Sequence, residues 1–286
     1  MFYQFLRLVR IPLVFTAVAD PITGYIIGTR ASLEPLTVIS LILVSSCLYM
    51  SGMIFNDVAD LKRDRVTRPG RPLPSGDVSI KGAVSLGVVL LFLALLLGLF
   101  ISYRVGILTA CMISLILGYD FLLKRGALAG SVCMGIIRGT NISLGFVASG
   151  EWSIGWWMLC PLTLTCYTGI LTFVSTLEET PEPKLYLDMV MLMSFTPLLL
   201  FIKAAFIPAF IASVMVLSGT LITYAWRHSL TLRSEDIRHT VLIGLLAIIL
   251  LDGAMLFRGG YVGEGFGVLS LLVPAVFLRI ILHIQD

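Results

Sequence analysis

The run NDVADLKRDRVTRPGRPLPSG, residues 56–76, gathers opposed charge between two long apolar stretches. On a helix turning about 100° per residue, Asp60 falls about 40° from Asn56, Asp64 about 80° and Asp57 about 100°. These four side chains therefore share one face if the helix continues to Pro69, a residue that stops helices. Stacked carboxylates repel one another, and a cation between them relieves the repulsion. Oxygen-only ligands at a partly hydrated place favour Mg2+, which keeps waters and bridges to phosphates. Lys62, Arg63, Arg65, Arg68 and Arg71 add the groups that hold phosphate oxygens directly. The chemistry expected here is the binding of a metal diphosphate; the plainer alternative is a positively charged loop whose aspartates only solvate a helix end.

Other polar residues stand out against the apolar background. Arg138 and Asn141 lie one turn apart inside an apolar run. An ionisable residue at that depth is costly and marks a functional site by default. Its expected partner is a carboxylate of the cluster or a bound diphosphate, with a structural pairing to Asn141 or a backbone carbonyl as the alternative. Asp20, ahead of Pro21 and Gly24, and Asp252 can each line a cavity or face a neighbouring helix, and Asp20 is the better candidate for contact with an acceptor. His228, His239 and His283 have no ligand spacing, and the five cysteines form no Cys-x-x-Cys pair. The cysteines read as small buried residues.

These residues need a scaffold, and composition says which. Of 286 residues, 58% are apolar and only 13% charged, with a mean hydropathy of +0.99. A soluble domain needs more charge to cover its surface. Apolar runs near 20 residues match the bilayer core, and no alternating short strands of a barrel occur. The expected fold is all-α, a polytopic membrane bundle of about nine or ten helices forming a single domain over residues 1–286. Helices are expected near 11–29, 36–57, 80–102, 105–122, 127–148, 154–176, 186–203, 206–226, 238–257 and 266–284. The first run carries no convincing cleavage site and is expected to remain as a span. With an N-terminus on the cytoplasmic side, most Lys and Arg, among them Arg7, Arg10, Lys62 to Arg71, Lys124, Arg125, Arg233 and Arg238, fall on that side. Arg30, Arg104, Lys203 and Arg258 fall on the other. That bias orients the chain with its N-terminus and polar loops cytoplasmic, in the cell inner membrane. The net charge of +3 is too small to argue for nucleic acid.

The long motif from Asn56 to Gly76 resembles the first aspartate-rich motif of the UbiA superfamily of intramembrane prenyltransferases. Its Arg-Pro-x-Arg-Pro-x-Pro-Ser-Gly tail is similar to the branch holding chlorophyll synthases and archaeal lipid prenyltransferases. The resemblance implies that Asp57, Asp60 and Asp64 bind Mg2+ and the diphosphate of a polyprenyl donor, with Asn56, Arg68, Arg71 and Ser75 on the substrate. Tyr119 to Arg125 resembles the family's tyrosine-to-lysine segment, which implies that Tyr119 contacts substrate and Lys124 holds diphosphate. Polar residues of the family's fifth helix face the cavity, which implies the same for Arg138 and Asn141.

Where family members carry a second Asp-x-x-x-Asp motif, this chain has Ser175-Thr-Leu-Glu178-Glu179-Thr-Pro181-Glu182. Either Glu178 and Glu179, with Glu182 near, replace the aspartates as ligands and substrate contacts, or the second metal is lost. The stretch YTGILTFVSTLEE is similar to EboC-type members. The function implied is Mg2+-dependent transfer of a polyprenyl group to an unknown small acceptor within the lipid bilayer. The alternative is a lipid-diphosphate binder or transporter without turnover. The Asp-Gly-x-x-Ala-Arg opening of CDP-alcohol phosphotransferases is absent.

Overall fold

Among the described residues, ten helical stretches are long and apolar enough to cross a membrane, matching the ten runs expected. The computed structural model describes residues 2–150, 155–201, 208–229 and 232–282, and among them every regular element is helical. The expected break at residues 204–208 and His283 lie outside these, except for Pro208. In chain order the helices are α1 (Phe2–Leu8), α2 (Val14–Thr29), α3 (Pro35–Thr67), α4 (Ile80–Ile101), α5 (Tyr103–Gly118) and α6 (Ala127–Ser149). There follow α7 (Leu159–Thr176), α8 (Pro183–Phe195), α9 (Pro208–Ser229), α10 (Ser234–Arg258), α11 (Val262–Leu269) and α12 (Leu272–Leu282). The last two make up one span.

Helix starts follow ordinary capping rules. Glu34 accepts from the backbone N–H of Leu36 and Thr37 ahead of Pro35 at the first turn of α3. Ser79 and Ser102 cap α4 and α5 by accepting from the N–H of Gly82 and Val105. α3 is 33 residues long. That length exceeds a bilayer core by several turns, so its last turns carry the charged motif beyond the apolar layer. The turn after it closes with Ser75 and with Gly76 at φ 85°, a left-handed conformation suited to glycine.

Helices α2, α6 and α7 pack closest. A Cβ on Gly145 of α6 would strike the Pro21 carbonyl and the α2 backbone at Gly24 and Tyr25, and one on Gly24 would strike the Ile142 carbonyl. Gly135 and Gly139, four apart, bring the other face of α6 against Pro161 and Thr165 of α7. Small residues allow such approach where the hydrophobic effect supplies no drive between helices. Pro21 has no N–H, so the carbonyl of Ala17 one turn earlier loses its helical partner. Asn141 donates to that carbonyl at 2.7 Å and Ser45 at 2.8 Å. The Pro21 turn of α2 is thus stitched to α3 and α6. Lipid-facing surface is plain on α4, where Val88, Val89, Phe92, Leu96 and Phe100 are exposed.

Candidate functional site

All the polar stretches singled out in the sequence meet at one end of the bundle. They line two contiguous cavities. The wider, about 1070 Å³, opens at the polar end and is bordered by Asn56, Asp60, Arg63, Arg68, Lys124, Glu178 and Arg238, among others. The inner one, about 290 Å³, is walled mainly by apolar side chains such as Leu48, Met53, Met112 and Ile248. Arg10, Asn56, Tyr119 and Asp120 border both, so a charged chamber leads directly into an oily one.

The aspartates divide between two directions. Asp60 faces the wide cavity, its two oxygens 2.9 Å from Lys124 Nζ and 3.1 Å from Arg63. Asp57 and Asp64 border neither cavity and are buried behind Arg10 and Arg71, which do border the wide one. Asp57 pairs with Arg10 at 3.3 Å and Arg71 at 3.6 Å, and Asp64 with Arg71 at 2.6 Å. Asp64 is wholly buried, and its other oxygen has no hydrogen-bond partner. The shared face expected on the helical wheel is therefore two neighbouring faces, Asn56 with Asp60 and Asp57 with Asp64. Among the described residues, no three Asp, Glu, His or Cys side chains converge on one point. Burial pushes the Arg71 guanidinium down from its ordinary value and Arg10 adds to this, while Asp57 and Asp64 hold it up.

A cation position nevertheless exists. Lys124 Nζ sits 3.1 Å from Asn56 Oδ1, 3.3 Å from the Asn56 carbonyl and 2.9 Å from Asp60 Oδ1. Its ammonium thus stands where oxygens one helical turn apart converge. One carboxylate, one amide oxygen and open space for phosphate are what Mg2+ uses at substrate-bridged sites, so the donor set fits that ion. Lys124 reaches this position from a π-helical turn, Tyr119–Leu123, closed by its own N–H on the Tyr119 carbonyl at 3.0 Å. Turns of this kind are frequent at functional sites.

A match to the UbiA prenyltransferase family spans residues 13–246. The chain belongs to that family. Among curated UbiA-type relatives, the digeranylgeranylglyceryl phosphate synthase of Sulfurisphaera tokodaii is 28% identical over 61% of this chain and 63% of its own length. That of Metallosphaera sedula is 31% identical over 59% and 58%. The matched region thus spans less than two thirds of either relative. Among solved structures, one from a study of digeranylgeranylglyceryl phosphate synthase in membranes covers 92% of this chain and 100% of its own, with a TM-score of 0.63 at 19% identity. A UbiA homolog from Archaeoglobus fulgidus bound to GPP and Mg2+ covers 93% and 99%, with a TM-score of 0.61 at 15% identity. The two solved structures show the fold.

The remaining expected residues of this UbiA chain have mixed placements. Tyr119 borders both cavities, and Arg138 and Asn141 border the inner one. The partner of Arg138 is neither a cluster carboxylate nor Asn141: its Nε lies 2.7 Å from Asp20 on α2, and it also donates to the Thr16 carbonyl. Asn141 donates to the same Asp20 at 2.8 Å. Asp20 borders neither cavity and anchors Arg138 from behind. Asp252 is wholly buried on α10, against Asp20. Ser75 structures the turn, donating to the Pro72 carbonyl at 3.3 Å, and does not border the cavities.

Glu178 borders the wide cavity between Arg68 at 2.9 Å and Arg238 at 2.7 Å. Glu179 is 77% exposed, 3.7 Å from Arg63, and Glu182 is exposed outside the cavity. Two residues escaped the site reading, Arg10 and Arg238, although both were counted among the positive charges. Arg10 had a local signal: it precedes Ile11-Pro12 and takes a left-handed backbone, φ 47°, at a cost of about 1–2 kcal/mol. Arg238 had none beyond its charge.

Proposed function

We propose that this chain transfers a prenyl group from a polyprenyl diphosphate to a small lipid-phase acceptor, within the membrane and with Mg2+. The observation that carries this reading is the convergence of Asn56, Asp60 and Lys124 where the charged chamber opens into the apolar one. The diphosphate belongs in the wide cavity and the isoprenoid chain in the inner one. Asn56 and Asp60 would hold Mg2+, which when bound neutralises charge on the leaving group. Asp57 and Asp64 set the positions of Arg10 and Arg71 beneath it.

Lys124, freed from the carboxylate by substrate, donates to a phosphate oxygen, with Arg63 and Arg68 beside it. The allylic C–O bond breaks and its electron pair leaves with diphosphate. The chamber's donors face the charge that develops there. Apolar walls keep water from the carbon left electron-deficient. A carbon or hydroxyl of the acceptor then forms the new bond and loses a proton. Arg138, held on Asp20, and Asn141 border the inner cavity and orient the reacting end of the chain. The relatives' names support an acceptor of the glyceryl phosphate class. The N-terminus and the chamber are placed on the cytoplasmic side, and residues 1–286 act as one domain.

The test is transfer in isolated membranes. With labelled geranylgeranyl diphosphate, Mg2+ and lipid acceptors, wild type is expected to yield a labelled lipid whose mass names the acceptor. Asp60→Asn should lower the rate at least about 100-fold, the range for losing a group that stabilises a leaving charge. Donor that binds through Asp60 yet stays intact across acceptor and metal panels would establish a lipid-diphosphate binder instead, a reading favoured by the missing second aspartate motif.

A further inference from the structure

Where a second metal would be expected, the chain presents an anion already claimed by two cations. Glu178 Oε1 alone accepts from Arg68 at 2.9 Å and from Arg238 Nε at 2.7 Å. A Mg2+ ligated by that oxygen would sit about 2.1 Å away, against two guanidinium groups that repel it. Glu179 also borders the chamber, but it is 77% exposed and turned to Arg63 at 3.7 Å, and among the described residues no three such ligands converge on one point. The three residues come from three elements: Arg68 caps the end of α3, Glu178 follows α7 and Arg238 lies in the first turns of α10. Ser234 fixes the arrangement by donating to the Glu178 backbone carbonyl at 2.8 Å. The pair faces Lys124 and Asp60 in the same chamber. Basic side chains bordering that chamber number seven and acidic ones four, so the surplus suits a polyanion rather than a second cation.

We propose that Arg68 and Arg238 form a phosphate-binding fork that does the work of the second metal, and that Glu178 is its internal counter-anion, displaced when phosphate enters. This rests on the reading of the chamber as a diphosphate site and adds Arg238 to it. Each guanidinium is planar and presents paired N–H donors, geometry that matches phosphate oxygens. With no ligand, Glu178 keeps two like charges from splaying apart. Phosphate oxygens from the donor or from a phosphate-bearing acceptor have the same chemistry, and the probes below separate them.

Purified protein in nanodiscs is titrated with inorganic pyrophosphate and, separately, with glycerol 1-phosphate, both with Mn2+ in place of Mg2+. Bound Mn2+ is counted by electron paramagnetic resonance. One Mn2+ per chain is expected in the pyrophosphate complex, and none in Asp60→Asn. Arg238→Gln should weaken pyrophosphate at least about 10-fold, the worth of one charged hydrogen bond, with the Mn2+ count unchanged. Glu178→Gln should tighten it, because the competing anion is gone.

Loss confined to glycerol 1-phosphate would support the fork as an acceptor site, and loss confined to pyrophosphate as a donor site. Two Mn2+ in wild type falling to one in Glu178→Gln would overturn the fork while leaving the diphosphate reading intact. If Glu178→Gln restores the affinity lost in Arg238→Gln, Arg238 only neutralises Glu178, and the fork is again overturned. Pyrophosphate that fails to bind in any Asp60-dependent way would overturn both readings together.

Discussion

At the scale of single residues, the site is a set of exchanges between charges. Asp57, Asp60, Asp64 and Glu178 each hold at least one basic side chain, and substrate phosphate would compete for several of those cations. The pair deeper in the bundle is different, because its carboxylate borders neither cavity. Asp20 is wholly buried and carries Arg138 and Asn141. Removing one partner of such a pair strands the other charge, at about 3–5 kcal/mol. Asp20→Ala is therefore expected to lower the thermal midpoint sharply in detergent and to impair substrate binding. Asp252 behaves oppositely. Its carboxyl lies within side-chain hydrogen-bond reach of Asp20, a contact between two acceptors unless a proton is shared, and an amide there can donate to Asp20. Asp252→Asn is expected to leave the midpoint unchanged or raise it, and a fall comparable to that of Asp20→Ala would show that Asp252 is a paired acid.

At the scale of elements, the site depends on how closely α2, α6 and α7 approach. Asn141 reaches the Ala17 carbonyl, left without its helical partner by Pro21, only because glycines let α6 lie against α2 there. Gly145→Val places a branched side chain into the Pro21 carbonyl. Overpacking of this kind costs about 1–3 kcal/mol, and the expected result is a lower thermal midpoint with weakened donor binding, read from the same titration. Gly219→Ala in α9, where a Cβ meets nothing within 4 Å, should be neutral or slightly stabilising, since alanine favours helix. Equal losses in both variants would dismiss close packing as the cause.

At the scale of the whole molecule, the polar chamber at one end and the apolar surface around it define a membrane body with two sides. Ser32 and Ser75 flank α3, a single span, so they lie on opposite sides of the bilayer. The proposed orientation, drawn from the positive charge on the chamber end, turns that end toward the cytoplasm. Ser75→Cys is expected to react with an impermeant maleimide only in inverted vesicles, and Ser32→Cys only in right-side-out ones. The reverse pattern would place the chamber outside and remove it from a cytoplasmic diphosphate supply. At the opposite end Arg258 stacks over Trp156, 3.9 Å from the ring centroid, and donates to the Leu200 carbonyl. There a charge acts as a packing element.

Sequence alone determined the ten spans and the meeting of three polar stretches at one end, whereas the helix expected near 36–57 runs on to Thr67 in the structure. Hydrophobic run length and charge bias are local properties, and they survive without knowledge of neighbours. The motif from Asn56 to Gly76 likewise carried the family, because so many polar residues in fixed order inside an apolar chain have few other uses. Which carboxylate does what was decided only by tertiary structure. A helical wheel separates Asp60 from Asp57 and Asp64 by tens of degrees, but it cannot say that Asp60 borders the chamber directly while Asp57 and Asp64 lie behind Arg10 and Arg71 at its wall. Arg138 finds Asp20 across 118 residues of chain, and Glu178 finds Arg238 across 60. Such pairings arise from helices brought together by glycine contacts and by the carbonyl that Pro21 leaves open, and no spacing along the chain encodes them.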